Sequence, residues 1–410
     1  MRIAYLAPEI PARSATFVYN EMNALMSKGI EVSSFSLHYP SDVANREQSL
    51  LQNTTYLYKG GVFSVFFKCL LVLLTTRIAL LKSLRLLQED IKVTPDFKQK
   101  LKLVFQYMAA INLAAHLKKG KVQHLHVHFA HVPTQVAMYA SALADIPFTV
   151  TSHANDIFER ALLLPEKAKR SAKFYTISNY NLKYLESQGL NKEKLAVVRC
   201  GVSLNYKYKT PNIHSKANDF VIGTLGRLVE KKGVDDLLVG VKKVKDRNPK
   251  INIRVEIAGD GPLHNNLLKL TDNLSISDSV IFLGALNHTE VADWLDTLDL
   301  FILASKKDNN GDMDGIPVVL MEAMSQSVPV ISTNISGIPE LVVDHETGLL
   351  ADPGNPDSLS SVISTALTNT SKFSQMTSNA LKHVENEFSM ESNVQRLLLE
   401  FRKSTLKGTQ

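Results

Sequence analysis

The stretch "DGIPVVLME" (314–322) carries two carboxylates, Asp314 and Glu322, on either side of a glycine and a proline. Glu322 interrupts the apolar run "VVLMEAM", where an unpaired charge would be costly. Pro317 suits the first turn of a helix, whose free amides and positive dipole end attract an anion. Glu322 lies five residues beyond Pro317, which is about 7–8 Å along a helix. The two carboxylates can therefore flank one ligand, accepting hydroxyl hydrogen bonds on either side of a phosphate held by the amides. Sugar rings offer paired hydroxyls of that kind. The plainer alternative is a capping Asp and a salt-bridged Glu.

Other residues of this sort follow apolar runs elsewhere. "RLVEKKG" sets Arg227 and Lys232 on a turn closed by Gly233, cations suited to a diphosphate. "GDGPLHNNL" begins with Gly259 and Gly261, which let backbone approach a ligand, but alone it is only a tight strand-to-helix turn. "SGIPELV" (336–342) reads as another helix start, with Pro339 in its first turn. "HVHFAH" supplies His126, His128 and His131, and "TVTSHAND" supplies His153. A zinc reading of the first group fails for want of an acidic or Cys ligand at zinc spacing, so no metal is expected. His153, ending a strand, is the better candidate for contact with a reacting sugar. Cys69 and Cys200 have neither metal nor redox spacing and read as reduced core thiols.

These residues sit at the ends of short β-rich runs that alternate with longer helical stretches, the pattern of parallel α/β layers. "RIAYLA", "IEVSSFSL", "HLHVHFA", "PFTVTSH", "KFYTIS" and "LAVVRCGV" predict a six-stranded first unit, with helices over 62–90 and 97–119 among its connections. Residues 203–218 are polar, with little periodicity, and read as a linker. A second series follows, with strands at 220–226, 251–259, 279–286, 298–305, 328–333 and 348–352, and a helical tail from Pro356. The expectation is two doubly wound, Rossmann-like domains: 1–205, then 206–385, with 386–410 a helix returning to the first. In such domains the default ligand site is the cleft at the strands' carboxyl ends.

The totals agree. The chain has 410 residues, 45% apolar and 21% charged, enough for two globular domains without repeats or disorder bias. Its start reads as a buried strand rather than a signal peptide. In the most apolar segment, 62–81, Lys68 and Arg77 leave eight uncharged residues between them, too few for a spanning helix. The net charge of +6 is uneven: residues 1–205 hold 25 Lys+Arg against 14 Asp+Glu. Residues 59–121 alone hold 12 basic residues against three acidic ones, which suits an anionic membrane surface. Aromatic residues are not interleaved with these cations as stacking platforms, which argues against nucleic acid.

As an ordered set, "GRLVEKKG", "AGDGPL", "FLGAL", "DGIPVVLMEAMSQSVPVISTNISGIPELV" and "HETGLLADPGNPDSL" resemble the retaining glycosyltransferases of the GT-B fold, group 1. "PEIPARSATFVYNEMNAL", "HVHFAHVPTQVA" and "FTVTSHANDIF" look like exopolysaccharide glycosyltransferases of the colanic-acid type. The resemblance implies that Arg227 and Lys232 hold the donor diphosphate while Gly315, Ile316 and Pro317 present backbone to phosphate or sugar. It implies that Glu322 bonds the ribose, with Gly259, Leu283, Gly284 and Leu286 beside the nucleotide. Asp314 and His153 would meet the transferred sugar, so that His153, Asp314 and Glu322 form the catalytic set. Ser14, Ala15, Thr16 and His128 would lie on the acceptor side.

Two positions depart from the family pattern. Asp314 stands where a glutamate is usual, one methylene shorter, and Ala15 stands where Ser-Glu-Thr would place a carboxylate. The function expected is retaining, metal-independent hexosyl transfer from a UDP- or GDP-sugar to a glycan or polyprenyl-linked acceptor in polysaccharide biosynthesis. It would occur in the cytoplasm, peripherally at the inner face of the membrane, with no cofactor beyond the donor. The alternatives are a nucleotide-sugar epimerase on the same fold and a non-catalytic sugar-nucleotide-binding relative.

Overall fold

A computed structural model of the chain describes residues 1–12, 15–40, 48–59, 77–204, 219–368 and 370–407. The chain divides into two compact units, Met1–Gly201 with Met390–Gln410, and Val202–Ser389.

The first unit is a parallel sheet with helices on its faces. Its strands are β1 (Arg2–Glu9), β2 (Glu31–His38), β3 (Thr54–Tyr56), β4 (His124–His128), β5 (Phe148–Ser152), β6 (Lys173–Thr176) and β7 (Leu195–Val197), in the order β3-β2-β1-β4-β5-β6-β7. The sheet has seven strands rather than the expected six. The extra strand, β3, is a three-residue edge element following the short helix α2 (Gln48–Asn53), too brief to leave a period-two signal. β4 (HLHVH) and β5 (FTVTS) are buried along their whole length, and their polar positions pair across the strands, with Thr149 bonded to both His124 and His126.

Helices α1 (Thr16–Ser27), α3 (Arg77–Val93), α4 (Phe97–Lys119) and α5 (Val132–Ala144) cover this sheet. The expected helix over 62–90 is described from Arg77 only, because 60–76 lie outside the described residues. Asp96 caps α4 by accepting from the Gln99 amide, and Lys118 and Lys119 complement its carboxyl end. Asp90 of α3 is fully buried and forms a two-pronged pair with Arg170 (2.6 and 2.7 Å) while accepting from Tyr139 of α5. That pair pins α3 to its neighbours. Two short helices follow β5, α6 (Asn155–Phe158) and α7 (Leu164–Arg170), and α8 (Asn179–Ser187) follows β6.

The second unit repeats the plan. β8 (Asp219–Leu225), β9 (Asn252–Ala258), β10 (Val280–Gly284), β11 (Leu300–Ile302), β12 (Val330–Thr333) and β13 (Leu349–Ala351) form a parallel sheet ordered β10-β9-β8-β11-β12-β13. Its helices are α9 (Val234–Arg247), α10 (His264–Asn273), α11 (His288–Leu295), α12 (Val318–Ser325), α13 (Pro356–Thr368) and α14 (Thr370–Glu387). The stretch 336–342 forms a single 3-10 turn, Ile338–Glu340, rather than the helix expected from its glycine and proline. Most of the expected linker, 205–218, lies outside the described residues. The last helix, α15 (Met390–Lys407), belongs to the first unit, where Phe401 lies 4.7 Å from the His124 ring and 5.0 Å from the His126 ring.

Candidate active site

In the second unit the sheet order reverses between β8 and β11, so the loops after these strands lie side by side at its carboxyl edge. That is where doubly wound sheets bind ligands. The loops are stitched together. The Lys306 amide donates to the Lys231 carbonyl at 2.9 Å, and the Lys306 ammonium lies 2.7 Å from Asp235 and 3.0 Å from Asp236. Two adjacent cations on a 3-10 turn, Glu230–Lys232, then reach across: Lys231 donates to Asp312 at 2.8 Å and Lys232 to Asp314 at 2.7 Å.

Asp314 is therefore held by an ion pair, and Ser305 donates to the same Oδ2 at 2.8 Å. Burial pushes the Asp314 carboxyl upward, but Lys232, Lys231 and Ser305 outweigh it and keep the group below its ordinary value. Its other oxygen, Oδ1, has only Lys231 at 3.7 Å among the described residues. Arg227 is exposed and makes no side-chain hydrogen bond or ion pair among the described residues.

Downstream, α12 begins at Val318 with Pro317 as its N-cap (φ −67°, ψ 127°), not in the first turn as the sequence suggests. The extended ψ turns the Pro317 carbonyl onto the helix, where it accepts from the Leu320 amide at 3.2 Å. Gly315, Ile316 and Pro317 are buried, so backbone is what this segment can offer a ligand. Glu322 follows on α12. Burial pushes its carboxyl up to about 7, so it titrates near neutrality. Beside β8, the Gly259 amide donates to the Gly284 carbonyl at 2.7 Å. Leu283 is exposed on edge strand β10, and Leu286 is half-buried just beyond it.

In the first unit the order reverses between β1 and β4. His128 ends β4 and His153 follows β5; their rings stack at 5.5 Å, with His128 Nδ1 3.2 Å from His153 Nε2. Phe17 and Phe129 each lie 4.6 Å from the His153 ring. Burial, reinforced by the neighbouring histidines, lowers the His153 value and keeps it neutral. Asp156 ties the two strand ends together, accepting from the backbone amides of His153 (2.8 Å) and Ala130. Lys167, fully buried, donates to the Ala130 and Leu162 carbonyls, and burial lowers its value to about 7.

Thr16 opens α1, and Ala15 is its N-cap, buried in a cluster with Ile10 and Val18. Ser14 lies outside the described residues.

Several residues escape the sequence reading. Lys231 duplicates Lys232, and Asp312, Ser305, Asp156 and Lys167 act by contacts between loops. Glu21 was visible in principle. It sits on the face of α1 shared by Val18, Met22 and Leu25 and is itself buried, hydrogen-bonded to the Tyr5 hydroxyl at 2.6 Å. His128 Nε2 lies 3.2 Å from its carboxylate, so the acidic partner missing near "HVHFAH" comes instead from α1.

Two family models match the chain: "Glycosyl transferases group 1" over residues 208–383 and "Glycosyltransferase Family 4" over 14–206. A protein of Escherichia coli K12 named for colanic acid biosynthesis, WcaL, is 32% identical over half of each chain. The amylovoran biosynthesis glycosyltransferase AmsK of Erwinia amylovora is 26% identical over 88% of this chain and 90% of its own. Among solved structures, Anabaena HepE in complex with UDP superposes with a TM-score of 0.72 at 16% identity, covering 98% of this chain and 100% of that one. At that identity the likeness speaks for the fold.

Proposed function

Because this chain belongs to the group 1 glycosyltransferases of GT-B fold, we propose that it moves a hexose from a nucleoside diphosphate sugar to a glycan or lipid-linked glycan in exopolysaccharide synthesis, with retention of configuration. The observation that carries this reading is the Lys232–Asp314 pair, 2.7 Å apart at the point where the second sheet reverses. A cation fixed there before substrate arrives stabilises a departing diphosphate without reorganisation. Arg227, exposed on the same loop, adds a second positive group, and the Gly315–Pro317 backbone with the first amides of α12 completes an anion site. Glu322 accepts from ribose hydroxyls, which favours its ionised form once nucleotide binds. Asp314, through Oδ1, accepts from a hydroxyl of the sugar.

In the transfer step the bond from the anomeric carbon to the diphosphate oxygen breaks. The acceptor oxygen bonds to the same face of that carbon, and the acceptor proton passes to the departing phosphate oxygen. The positive charge needed at the diphosphate comes from Arg227 and Lys232, so no metal is assigned to this step. On the first unit, Thr16 serves the acceptor and His153 the sugar, while His128, buried with both ring nitrogens engaged, supports His153 instead of meeting the acceptor.

A panel of UDP- and GDP-sugars, read by thermal shift and by product formation, tests the reading. One matching donor should raise the melting temperature and be consumed, and Glu322→Gln should bind the free nucleotide about tenfold more weakly, the loss of one charge-assisted hydrogen bond. No shift and no turnover with any donor, with nucleotide affinity unchanged in Glu322→Gln, removes it.

The same reading includes a membrane-bound acceptor. Phe97, Leu101 and Val104, exposed by 70%, 56% and 42%, recur at helical spacing along α4, and Leu81 of α3 is exposed by 68%. Lys98 and Lys102 are exposed among them. Apolar side chains at that spacing, flanked by lysines, suit an anionic lipid surface. No helix among the described residues is long and apolar enough to cross a membrane. Anionic vesicles should hold the protein at low salt and release it at high salt, and Phe97→Ser with Leu101→Ser should weaken retention about tenfold or more. Equal recovery of wild type and double variant in the supernatant at low salt would refute it.

A further inference from the structure

Inside the first unit, three side chains remote in sequence converge. His126 and His128 alternate along β4 and so present their rings to one face, and Glu21 reaches them from α1. Glu21 Oε1 lies 3.2 Å from His128 Nε2 and 3.6 Å from His126 Nε2, and one ligand atom from each residue falls within 4.8 Å of the others. Ligands about 2.0–2.2 Å from a tetrahedral zinc ion are about 3.3 Å apart. All three residues are buried.

The surroundings are those of a held ligand set. His126 Nδ1 lies 2.8 Å from the Thr149 hydroxyl, His128 Nδ1 lies 3.2 Å from His153 Nε2, and the Tyr5 hydroxyl donates to Glu21 at 2.6 Å. Each ring is thus anchored by the nitrogen that does not face Glu21, the outer contact that orients metal-binding histidines. The charge balance points the same way. No Lys or Arg pairs with the Glu21 carboxylate among the described residues, and an unpaired buried carboxylate is costly. His126 Nε2 also lies 3.2 Å from the Thr151 hydroxyl, a contact that a metal ion bound there would replace.

We propose that Glu21, His126 and His128 bind a first-row divalent metal ion of the zinc type, joining α1 to β4 in the interior of the first unit. The ion has a consequence at His153. Without metal, His128 Nε2–H donates to Glu21, so His128 Nδ1 accepts from His153 Nε2–H. With metal on His128 Nε2, its proton moves to Nδ1 and donates to His153 Nε2, and the His153 proton then sits on Nδ1, which faces Cys200 Sγ at 4.0 Å. The ion thereby sets which nitrogen of His153 carries hydrogen, while taking no part in bond breaking at the sugar.

The test uses untagged full-length protein, mixed with zinc sulfate, desalted and measured by plasma mass spectrometry. About one zinc per chain is expected for the wild type, with Glu21→Gln and His126→Gln retaining little. Zinc should raise the wild-type melting temperature by several degrees and leave that of Glu21→Gln unmoved. Nitrogen-15 spectra should show His153 protonated on Nδ1 with zinc and on Nε2 without it. If either variant fails to fold, X-ray absorption of the zinc-loaded wild type decides, with two imidazoles and one carboxylate expected. Folded wild type that retains less than about a tenth of an equivalent, or folded variants that bind zinc as the wild type does, overturns the proposal. None of these outcomes depends on donor turnover, so the transferase reading stands or falls separately.

Discussion

Replacing Lys232 with methionine is expected to lower kcat/KM for sugar transfer by about 10²–10³, the usual cost of removing one fixed charge or donor from a leaving group. The substitution keeps the side-chain stem and removes only the ammonium. Two effects must be separated. Lys232 also neutralises Asp314, which is 8% exposed and receives both Lys232 and Ser305 on one oxygen. Removing one partner of a buried pair leaves the other charge unpaired and commonly costs 3–5 kcal/mol, though Lys231, 3.7 Å away, should reduce that to about 2 kcal/mol here.

The companion variant Lys232→Met/Asp314→Asn distinguishes them. With both charges gone the fold no longer buries an uncompensated carboxylate, so stability should return most of the way to the wild type. Transfer should stay as low as in the single variant or fall further, because the diphosphate still lacks its cation. The acid limb gives a second check. The Asp314 carboxyl is held below its ordinary value of 3.8, so the pair stabilises above that pH and the contribution is lost as pH falls through the depressed folded value. That acid-dependent component should be missing from the double variant. A double variant that transfers sugar within about threefold of wild type would show that Lys232 serves the fold alone.

The layout of the fold was legible where local pattern decides it. Buried parallel strands read as apolar runs, and the loops after them carried the glycines, prolines and charged residues that mark the binding edge. The sequence could not tell which loops would meet, because that depends on strand order. β8 lies between β9 and β11, so "RLVEKKG" meets both "GDGP" and "DMDGIP", neither of which is local to it in sequence. The same limit hid the acidic partner of His128. No acidic residue lies near the histidines at zinc spacing in the sequence, whereas Glu21 comes from α1 and meets them because β1 and β4 are neighbours. Asp314 shows a subtler gap. Its shorter side chain reads as lost reach toward a sugar, yet in the fold its Oδ2 lies 2.7 Å from Lys232 and 2.8 Å from the Ser305 hydroxyl. Pro317 takes the N-cap, one position before the first helical residue where its fixed φ would suit it, and its extended ψ is what separates the two.

Gly259→Ala should be strongly destabilising to the second unit, and the reason again lies in which loops meet. Gly259 has φ +123°, a backbone conformation that L side chains rarely adopt, and a Cβ there would sit 1.9 Å from the Gly226 carbonyl oxygen. That carbonyl cannot retreat easily: the Gly226 amide is bonded to the Ala258 carbonyl at 3.1 Å, and the Lys232 stem lies against the other side of Gly226. Relief requires moving the turn that carries Lys232, so one methyl group should affect both folding and donor binding. A cost of about 3–4 kcal/mol is expected, or a fall of about 10 °C in the melting of the Val202–Ser389 unit. Gly354→Ala isolates the backbone contribution, since Gly354 also has positive φ (+68°) but nothing within 4 Å of the added carbon. It should cost only about 1 kcal/mol and leave donor affinity unchanged. If the two alanine variants melt together and bind donor alike, the close approach of the two loops is not what holds the diphosphate cations in place.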